Sequence, residues 1–496
     1  MFTIKKSLSN LQIVSVALRR LDSSAASGMQ AYCASGARNS ATLFDLSGVG
    51  RIAASGISAL IHLAQTNINT GFFGANPKVQ SELEKFGLHR ALRLYENEEV
   101  ARNSPWVKGK RLSGTKAVIL AAGKGSRCAP LTRSIPKPML PILGRPIIEH
   151  LLEHLGRFGL NDVLINPGYL GPKIIDHLKS GASFNQHIHY ANEGYFADGQ
   201  WRAQPLGSAS TIACMHQQNA AFFDDFFVFC GDALVDLDLA AMMDHHRKSG
   251  AVVTIATQTV DPNDVEKFGI IDCNQQGRIN AFQEKPAKDN ALSTLANTGI
   301  YIFNPAVLSH IPNMDLCDIG THLLPKLLAE GVHLQVFNQP FTWVDVGCGK
   351  DFFQANMHAL CGRIPFVRHF AKLGQDGTLL SEKSTVSGKA DVAGPVFLGE
   401  NAHIESGATI RGPVFLGPNT VAKNGSYIKN SMLWENTTAA KGAIVDGLIA
   451  DGHWAFAHEY ANKAAQNIVA LDNIHPNSDR EIQRHLTAAL HLQVAS

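Results

Sequence analysis

The chain has 496 residues, of which 45% are hydrophobic and 17% are charged. This composition supplies enough apolar surface for several domains and excludes a chain that is disordered throughout. The formal net charge of +2 creates no strong overall field, so the composition does not favour binding to nucleic acid or to an anionic membrane.

The cysteine and hydropathy patterns predict a cytoplasmic protein. The eight cysteines lack the short paired spacing typical of a zinc site or a disulfide framework, so we expect free thiols in a reducing compartment. The sequence contains no run of about 18 uninterrupted apolar residues, so it predicts no membrane-spanning helix.

Residues 1–104 alternate short β-like runs with helix-like stretches, a pattern that predicts a small α/β domain. Ser55 is placed near the start of a helix, where unpaired backbone N–H groups favour a hydroxyl cap or an added phosphate. The simpler interpretation of Ser55 is an N-cap. The expected strands and helices are, in order, 11–18 and 41–46 (strands), and 24–34, 55–65 and 77–86 (helices).

Residues 8–102 resemble the STAS domain of anti-sigma-factor antagonists, through the runs DLSGVGRIAASGISALIHL and NPKVQSELEKFGLHRALRLYENEEVA. That family often carries a phosphorylatable serine in an Asp-Ser-Ser-Gly turn, and Ser55 falls on this serine. Ala53 and Ala54 replace the first two residues of the turn. The resemblance therefore implies a regulatory phosphosite at Ser55 or a binding role without phosphorylation, and a protein partner for this domain.

A polar segment with proline and glycine, PWVKGKRLSG at 105–114, is predicted to be a linker. The second domain, 115–358, opens with the apolar run KAVILAA and the turn Gly123-Lys124-Gly125-Ser126-Arg127. The glycines allow backbone N–H groups to approach a polyphosphate, and Arg127 adds a charged donor. A Gly-x-Gly turn alone suits a dinucleotide fold equally well, although Cys128 replaces the third glycine of that motif.

The segment Pro136-Lys137-Pro138-Met139 follows this turn, and together they resemble the signature of sugar-1-phosphate nucleotidyltransferases. The resemblance extends over 116–358 and implies a Rossmann-like α/β domain. Its layout is closest to mannose-1-phosphate guanylyltransferases, which also end in a β-helix. The matching motifs are QPLGSA at 204–209, Gly231-Asp232, EKP at 284–286, NTGIY at 297–301 and WVDVG at 343–347.

The resemblance assigns a role to each motif residue. It implies catalytic roles for Arg127 and Lys137, nucleotide binding by Ala122, Gly123, Gly125 and Gly207, sugar-phosphate binding by Glu284, Lys285, Asn297 and Gly299, and Mg²⁺ binding by Asp232 and Asp345.

The chemistry of the reaction explains these residue types. Joining a sugar 1-phosphate to a nucleoside triphosphate brings two polyanions together, so their charge must be neutralised before in-line attack on the α-phosphorus. Mg²⁺ on one or two carboxylates suits this task because the ion prefers oxygen ligands and keeps several waters. The attacking phosphate oxygen is already ionised at neutral pH, so no general base is required. The expected products are an NDP-sugar and pyrophosphate.

Three histidine-containing stretches are interpreted as structural. His150 to His154 fits the H-x-x-E-H pattern of some zinc peptidases, but the surrounding apolar stripe predicts an ordinary helix whose His and Glu residues lie near the solvent side. The pairs His245-His246 and His187/His189 are also expected at the surface. The long stretch 192–202 is predicted to be a loop over the active site, in which Trp201 or Tyr195 contacts ligand or anchors the loop.

From residue 386 a six-residue hydrophobic period predicts a left-handed parallel β-helix at 380–451, followed by a helical tail at 459–492. His403 is a candidate base for acyl transfer in these coils. Oligomerisation of identical chains through the coil sides, or docking on the catalytic domain, is the preferred role. The period falls on Val386, Val392, Leu398, Ile404, Ile410, Leu416, Ala422, Ile428, Trp434 and Ala440.

The sequence favours an enzyme that joins a nucleoside triphosphate to a sugar 1-phosphate, with GDP-mannose as one expected product. The alternative is a regulatory protein whose nucleotidyltransferase fold senses nucleotide or NDP-sugar and signals through the STAS-like domain. The presence of Arg127, Lys137, Asp232 and Asp345 favours the enzyme. The nucleobase and the sugar are left open.

Overall fold

The computed structural model describes residues 2–35, 41–66, 69–312, 316–367, 371–374, 377–450, 454–457 and 469–470. Of the predicted helical tail, only Val469–Ala470 is described, and it forms a short strand paired with Trp454–Ala457 rather than part of a helix. The rest of that prediction lies outside the described residues. Among the described residues, no helix is long and apolar enough to cross a membrane.

The N-terminal segment is an α/β unit, as its alternating pattern predicts. Strands β2, β4, β6 and β7 run parallel to one another, and β1 adds an antiparallel edge, in the order β1-β2-β4-β6-β7. The resemblance to STAS domains and the partner it implies stay predictions. The elements are β1 (Phe2–Leu8), β2 (Leu11–Val16), β3 (Leu18–Leu21), α1 (Ser23–Ser35), β4 (Ala41–Asp45), β5 (Val49–Ile52), α2 (Ala54–Thr66), β6 (Thr70–Phe73), α3 (Pro77–Lys85), β7 (Leu94–Tyr95), α4 (Glu98–Asn103) and α5 (Pro105–Arg111).

Residues 105–114 are not an extended linker, because most of them form helix α5. Ser104 precedes it and accepts a hydrogen bond from the Val107 amide, and Pro105 occupies the first turn, where its missing N–H is not needed. Val107 and Leu112 are fully buried. Apolar burial and an N-terminal cap therefore order this segment despite its polar composition.

The central domain is built on a mixed sheet in the order β12-β11-β8-β15-β20-β17-β21. Strands β12, β11, β8 and β15 are parallel, while β20 is antiparallel to both β15 and β17. The elements are β8 (Lys116–Ala121), β9 (Pro141–Ile142), β10 (Arg145–Pro146), α6 (Ile147–Arg157), β11 (Asp162–Pro167), α7 (Gly171–Leu178), β12 (His187–Tyr190), β13 (Gly194–Ala197), β14 (Gln200–Ala203), α8 (Ser208–Asn219), β15 (Phe226–Cys230), β16 (Ala233–Val235), α9 (Leu239–Ser249), β17 (Val253–Thr259), β18 (Gly269–Cys273), β19 (Ile279–Glu284), β20 (Leu295–Phe303), α10 (Leu324–Ala329), β21 (Leu334–Phe337), β22 (Trp343–Asp345) and α11 (Gly349–Leu360).

Both faces of this sheet are covered by apolar side chains. Ile119 belongs to one cluster and Val118 to the other, because neighbouring residues of a strand point to opposite faces. This explains why β8 and β15 read as continuous apolar runs rather than alternating ones. The arrangement leaves the strand ends, and the polar residues that follow them, at one edge of the sheet.

The C-terminal strands form three sheets, in which the strands from β24 to β36 pair in parallel and are compatible with the predicted β-helix. Thr385 pairs with His403, and His403 with Val421, which gives a repeat of 18 residues. The left-handed sense stays a prediction. The strands are β23 (Lys372–Leu373), β24 (Thr378–Leu380), β25 (Thr385–Val386), β26 (Asp391–Ala393), β27 (Val396–Leu398), β28 (His403–Ile404), β29 (Thr409–Arg411), β30 (Val414–Leu416), β31 (Val421–Ala422), β32 (Tyr427–Lys429), β33 (Met432–Leu433), β34 (Thr438–Ala439), β35 (Ile444–Asp446), β36 (Leu448–Ala450), β37 (Trp454–Ala457) and β38 (Val469–Ala470).

The last two positions of the predicted period are wrong by one residue. Leu416 pairs with Leu433, which is 17 rather than 18 residues further on, and Leu433 occupies the interior of the coils. Trp434 instead points outward and packs against Phe352 of the central domain, with ring centroids 5.6 Å apart. Ala439 likewise takes the interior place expected for the next residue. A one-residue shortening of the repeat therefore moves the period.

The coils dock on the central domain through one sheet. Phe397 and Phe415 stack on the outer face of that sheet with their centroids 4.7 Å apart. They join an apolar cluster that includes Leu140 of the central domain and the buried residues of α11. Docking on the central domain, one of the two expected roles of the coils, is present, whereas oligomerisation stays a prediction.

Candidate functional site

A cavity of about 880 Å³ opens at the edge of the sheet where β8 ends. The glycine-rich turn forms one wall, and the carbonyl of Ala122 accepts a hydrogen bond from the Tyr169 amide at 3.0 Å. Gly125 has a φ of +62°, and a Cβ on it would lie 3.0 Å from the Cβ of Lys137. Glycine at this position therefore lets the turn fold closely over Lys137.

Two carboxylates come together because their strands pair with each other. Strand β16 is antiparallel to β22, and Ala233 lies opposite Asp345. The Val346 amide donates to the backbone carbonyl of Asp232 at 3.3 Å, which extends this ladder. Asp232 and Asp345 are 113 residues apart in sequence but occupy neighbouring positions in the cavity wall.

Lys137 lies against this carboxylate pair. Its ammonium donates a short hydrogen bond to Asp232 Oδ2, and its side chain is only 11% exposed. Burial acts to lower the pKa of Lys137, but the negative charges of Asp232 and Asp345 and the hydrogen bond raise it above its ordinary value. Lys137 is therefore a fixed positive charge in the cavity at neutral pH.

The carboxylate of Asp345 fits a role as a cation ligand. Among the described residues, no donor makes a hydrogen bond or an ion pair to it. Burial, followed by repulsion from Asp232, raises the pKa of Asp345, although Lys137 and Arg127 oppose the shift. Two adjacent oxygen donors with incompletely compensated charge are the kind of set that Mg²⁺ prefers. The described residues contain no cluster of three or more His, Cys, Asp or Glu side chains arranged for a metal.

Arg127 lies at the mouth of the cavity beside Asp345. A Cβ on Gly347 would be 3.0 Å from Asp345 Oδ2, 3.1 Å from Asp351 Oδ2 and 3.7 Å from Arg127 Nη1, so all three groups surround this glycine. The Arg127 side chain is exposed. It is therefore placed to contact a ligand entering the cavity.

The opposite wall carries the predicted sugar-phosphate residues. Lys285 has a φ of +47°, and its ammonium lies 3.0 Å from Glu284 Oε1. Asn297 donates to the Tyr301 hydroxyl at 2.8 Å and accepts from the Gly299 amide at 3.0 Å, so both hydrogen-bonding ends of its amide are fixed. Gly299 has a φ of +74°, and a Cβ there would lie 2.6 Å from the sulfur of Cys230. Glycine is required at this contact.

The Gly207 turn is held by a buried carboxylate that sequence reasoning did not single out. Glu193 is 3% exposed and accepts from the Leu206 amide at 2.9 Å, from Asn166 Nδ2 at 2.7 Å and from the Thr211 hydroxyl. Asn166 in turn accepts from the Ala121 amide at 2.6 Å. Glu193 therefore joins the end of β8 to the Gly207 turn. The only signal in the sequence was an acidic residue near the start of the stretch 192–202.

The structure brings almost all the predicted site residues together. Gly125 lies behind the wall rather than in it. Ser55 is in the N-terminal unit, exposed, and is the second residue of α2, so the N-cap interpretation is wrong by two positions. The predicted residues that line the cavity are Ala122, Gly123, Arg127, Lys137, Gly207, Asp232, Glu284, Lys285, Asn297, Gly299 and Asp345.

The histidine motif is structural but not solvent-facing. His150 and His154 are buried, and the Nε2 atom of His154 lies 2.9 Å from the Leu237 carbonyl. His246, also expected at the surface, is buried with Nδ1 2.7 Å from the Thr254 hydroxyl. Burial among backbone and hydroxyl partners, rather than solvent exposure, explains these residues. The exposed positions predicted for His187 and His189 are confirmed.

The inserted stretch forms a hairpin, β13 and β14, rather than an irregular loop. Trp201 Nε1 donates to the Gly168 carbonyl at 2.7 Å, and a Cβ on Gly171 would lie 3.0 Å from the Trp201 ring. Neither Trp201 nor Tyr195 lines the main cavity, although Ala203 does. Trp201 therefore anchors the hairpin, and a ligand contact by either aromatic residue finds no support in this geometry.

Residues 116–361 match the family described as Nucleotidyl transferase, so this segment is a nucleotidyl transferase domain. A UTP–glucose-1-phosphate uridylyltransferase of Synechocystis is 44% identical over 240 residues, which are 48% of this chain and 62% of that protein. A mannose-1-phosphate guanylyltransferase of Mycobacterium tuberculosis is 31% identical over 250 residues, which are 50% of this chain and 66% of that protein. In both cases the match spans less than two thirds of the relative.

Among solved structures, one described as a glucose-1-phosphate thymidylyltransferase of Bacillus anthracis in complex with sucrose is 24% identical. It covers 52% of this chain and 98% of that chain, with a TM-score of 0.44. The assignment of the domain therefore rests on the family match and on the arrangement of the cavity.

Proposed function

We propose that this chain transfers a nucleotidyl group from a nucleoside triphosphate to a sugar 1-phosphate and releases pyrophosphate. The observation that carries the proposal is the meeting of Lys137, Asp232 and Asp345 with the glycine-rich turn in one cavity. Such a set combines close backbone approach, a buried cation and paired oxygen ligands, which a reaction between two polyanions requires.

The proposed role of each residue follows from its position in the cavity. The Gly123 turn holds the triphosphate, and Arg127 at the cavity mouth stabilises the departing pyrophosphate. Lys137, whose charge is fixed by Asp232, attracts the α-phosphate or the incoming sugar phosphate. Lys285 and Asn297 on the opposite wall bind the sugar phosphate.

Atoms and charge balance without a general base. An ionised oxygen of the sugar phosphate forms a bond to the α-phosphorus, while the bond from that phosphorus to the bridging oxygen breaks and its electron pair leaves with pyrophosphate. Asp232 and Asp345 would hold Mg²⁺, which neutralises phosphate charge when bound. The protein's own contribution is to align the two phosphates on opposite walls of the cavity.

UTP with glucose 1-phosphate is the substrate pair that we propose first. It is supported by the 44% identity to a uridylyltransferase, compared with 31% to a guanylyltransferase. GTP with mannose 1-phosphate, which the sequence layout suggested, is the second pair. The two substrate pairs undergo the same phosphate chemistry. They differ in the nucleobase and in the sugar that the cavity must accommodate.

The experiment measures pyrophosphate release by the purified full-length protein with each nucleoside triphosphate and a panel of sugar 1-phosphates in the presence of Mg²⁺. We expect release with at least one pair, and the largest kcat/KM with UTP and glucose 1-phosphate. If no substrate pair releases pyrophosphate and the protein still binds nucleotide in equilibrium dialysis, the proposed enzyme activity is wrong and the nucleotide-sensing alternative takes its place.

A further inference from the structure

A second cavity, of about 510 Å³, lies between the N-terminal unit and the nucleotidyl transferase domain. Helices α4 and α5 form one side, and the first turn of α9 forms the other. None of the residues that line it lines the main cavity. Its volume is in the range of small-ligand sites, about 300–1,000 Å³.

Most carboxylates of this interdomain cavity already have partners. Glu98 pairs with Lys6, and Asp244 pairs with Arg111 at 2.5 Å across the domain junction. The negative charge of Asp238 is also compensated, because this residue caps α9 and lies in the positive field of the helix start. Glu98 and Asp244 are therefore neutralised by Lys6 and Arg111, and Asp238 is neutralised by the helix start. Within the described residues, none of these three acids pairs with the remaining cations of the cavity.

Two cations in the interdomain cavity lack a carboxylate partner among the described residues. Arg102 has a buried Nε atom that makes no hydrogen bond. The Lys108 ammonium lies 5.8 Å from the centre of the Phe158 ring, which is a cation–π contact rather than an ion pair. The remaining acid, Glu99, is exposed and is placed on the same wall. Two unpaired cations against one unpaired carboxylate, counted among the described residues, leave the interdomain cavity with an excess of positive charge, which favours an anionic ligand.

We propose that this interdomain cavity binds a small phosphate-bearing anion through Arg102 and Lys108. A guanidinium donates two parallel hydrogen bonds to a phosphate, and the ammonium adds a second charge. The bound anion would supply the negative partner that neither side chain has among the described residues. Because the cavity is separate from the main one, the anion is an effector rather than a substrate.

The location connects the interdomain cavity to the carboxylate pair. Strand β16 follows Asp232 directly and leads through Asp236 to the start of α9. Asp236 accepts a hydrogen bond from the Thr342 amide at 2.6 Å, and Thr342 directly precedes the strand that ends at Asp345. The helix on the far side of the interdomain cavity is therefore continuous with the strand after Asp232 and linked by a hydrogen bond to the strand that ends at Asp345.

The test is calorimetric titration of the full-length protein with inorganic phosphate, in an Arg127→Gln background that weakens phosphate binding in the main cavity. Arg102→Gln and Lys108→Gln should each weaken binding about tenfold, as expected for one charged hydrogen bond. Glu99→Gln should tighten it about threefold, because a repelling charge is removed. Lys110→Gln is the matched control, since Lys110 lies on α5 but does not line the cavity.

Each outcome decides the proposal without reference to turnover. Weakening in both cation variants, with unchanged binding in Lys110→Gln, supports the effector site even if no pyrophosphate is ever released. Equal phosphate affinity in Arg102→Gln, Lys108→Gln and Lys110→Gln overturns it. Thermal unfolding of each variant is measured alongside, and Lys108→Gln keeps the test decisive if Arg102→Gln does not fold.

Discussion

Replacing Asp232 with asparagine removes one negative charge from the main cavity while preserving the size of the side chain. Asp232 is one of the two carboxylates that we propose to bind a cation, and it is the hydrogen-bond partner of Lys137. In the proposed mechanism the variant therefore loses an oxygen ligand for Mg²⁺, and it also changes where the Lys137 ammonium points. We expect turnover to fall about 10³-fold, equivalent to about 4 kcal/mol of transition-state stabilisation.

The stability of this variant should change much less than its activity. Removing one partner of a buried ion pair costs about 3–5 kcal/mol when the remaining charge has no substitute. Here Asp345 lies next to Lys137 and is itself destabilised by burial and by repulsion from Asp232. With Asp232 neutral, Asp345 takes over as the partner of Lys137, so we expect a loss of about 1–2 kcal/mol.

The assay is steady-state pyrophosphate release at saturating Mg²⁺ and substrates, with urea unfolding of the same preparations. Asp272→Asn is the control, because Asp272 is a carboxylate on β18 that does not line the main cavity. Turnover of Asp232→Asn within tenfold of the wild type would refute the role of the carboxylate pair. A loss of stability equal to the loss of activity would instead indicate a structural residue.

Two further predictions concern carboxylates outside the reacting groups. Glu193→Gln should raise the KM for the nucleoside triphosphate several-fold and lower the free energy of unfolding by about 1–3 kcal/mol, because an amide cannot accept from both Asn166 and Leu206 as the carboxylate does. Burial acts to raise the pKa of Asp225, but the hydrogen bond and charge of His246 contribute to lowering it to about 2. This depressed pKa stabilises the fold above pH 4 and the effect is lost as the pH falls towards 2, so Asp225→Asn should be about 2 kcal/mol less stable at pH 7, with a smaller gap in urea unfolding at pH 3.

Most residues of the main cavity were predicted through the resemblance of their motifs to sugar-1-phosphate nucleotidyltransferases, and two of these motifs also follow directly after strands. Asp232 comes after the apolar run of β15, and the glycine-rich turn follows β8. Strand ends of a largely parallel sheet meet at one edge, so residues far apart in sequence converge there. The distance between Asp232 and Asp345, by contrast, depends on the pairing of β16 with β22. Each of these strands has only three residues, which is too short to predict from periodicity.

The errors fall where tertiary contacts override local composition. A polar, glycine-containing stretch became helix α5 because Val107 and Leu112 find apolar partners. His154 is buried because a backbone carbonyl satisfies its ring nitrogen. Trp434 left the hydrophobic period because the last coil is one residue shorter and a pocket in the central domain accepts its ring. None of these partners is visible in the local sequence pattern.

The two strands next to Asp232 and Asp345, β16 and β22, each lead into an interface with a flanking domain. Asp232 and β16 continue into α9, where Asp244 pairs with Arg111 beside the N-terminal unit. Asp345 and β22 continue into α11, whose Phe352 packs against the ring of Trp434 in the coils. Each interface restrains the helix that follows one carboxylate, and the pairing of β16 with β22 joins the two restraints. The separation of the carboxylates is therefore a property of the whole chain rather than of the central domain alone.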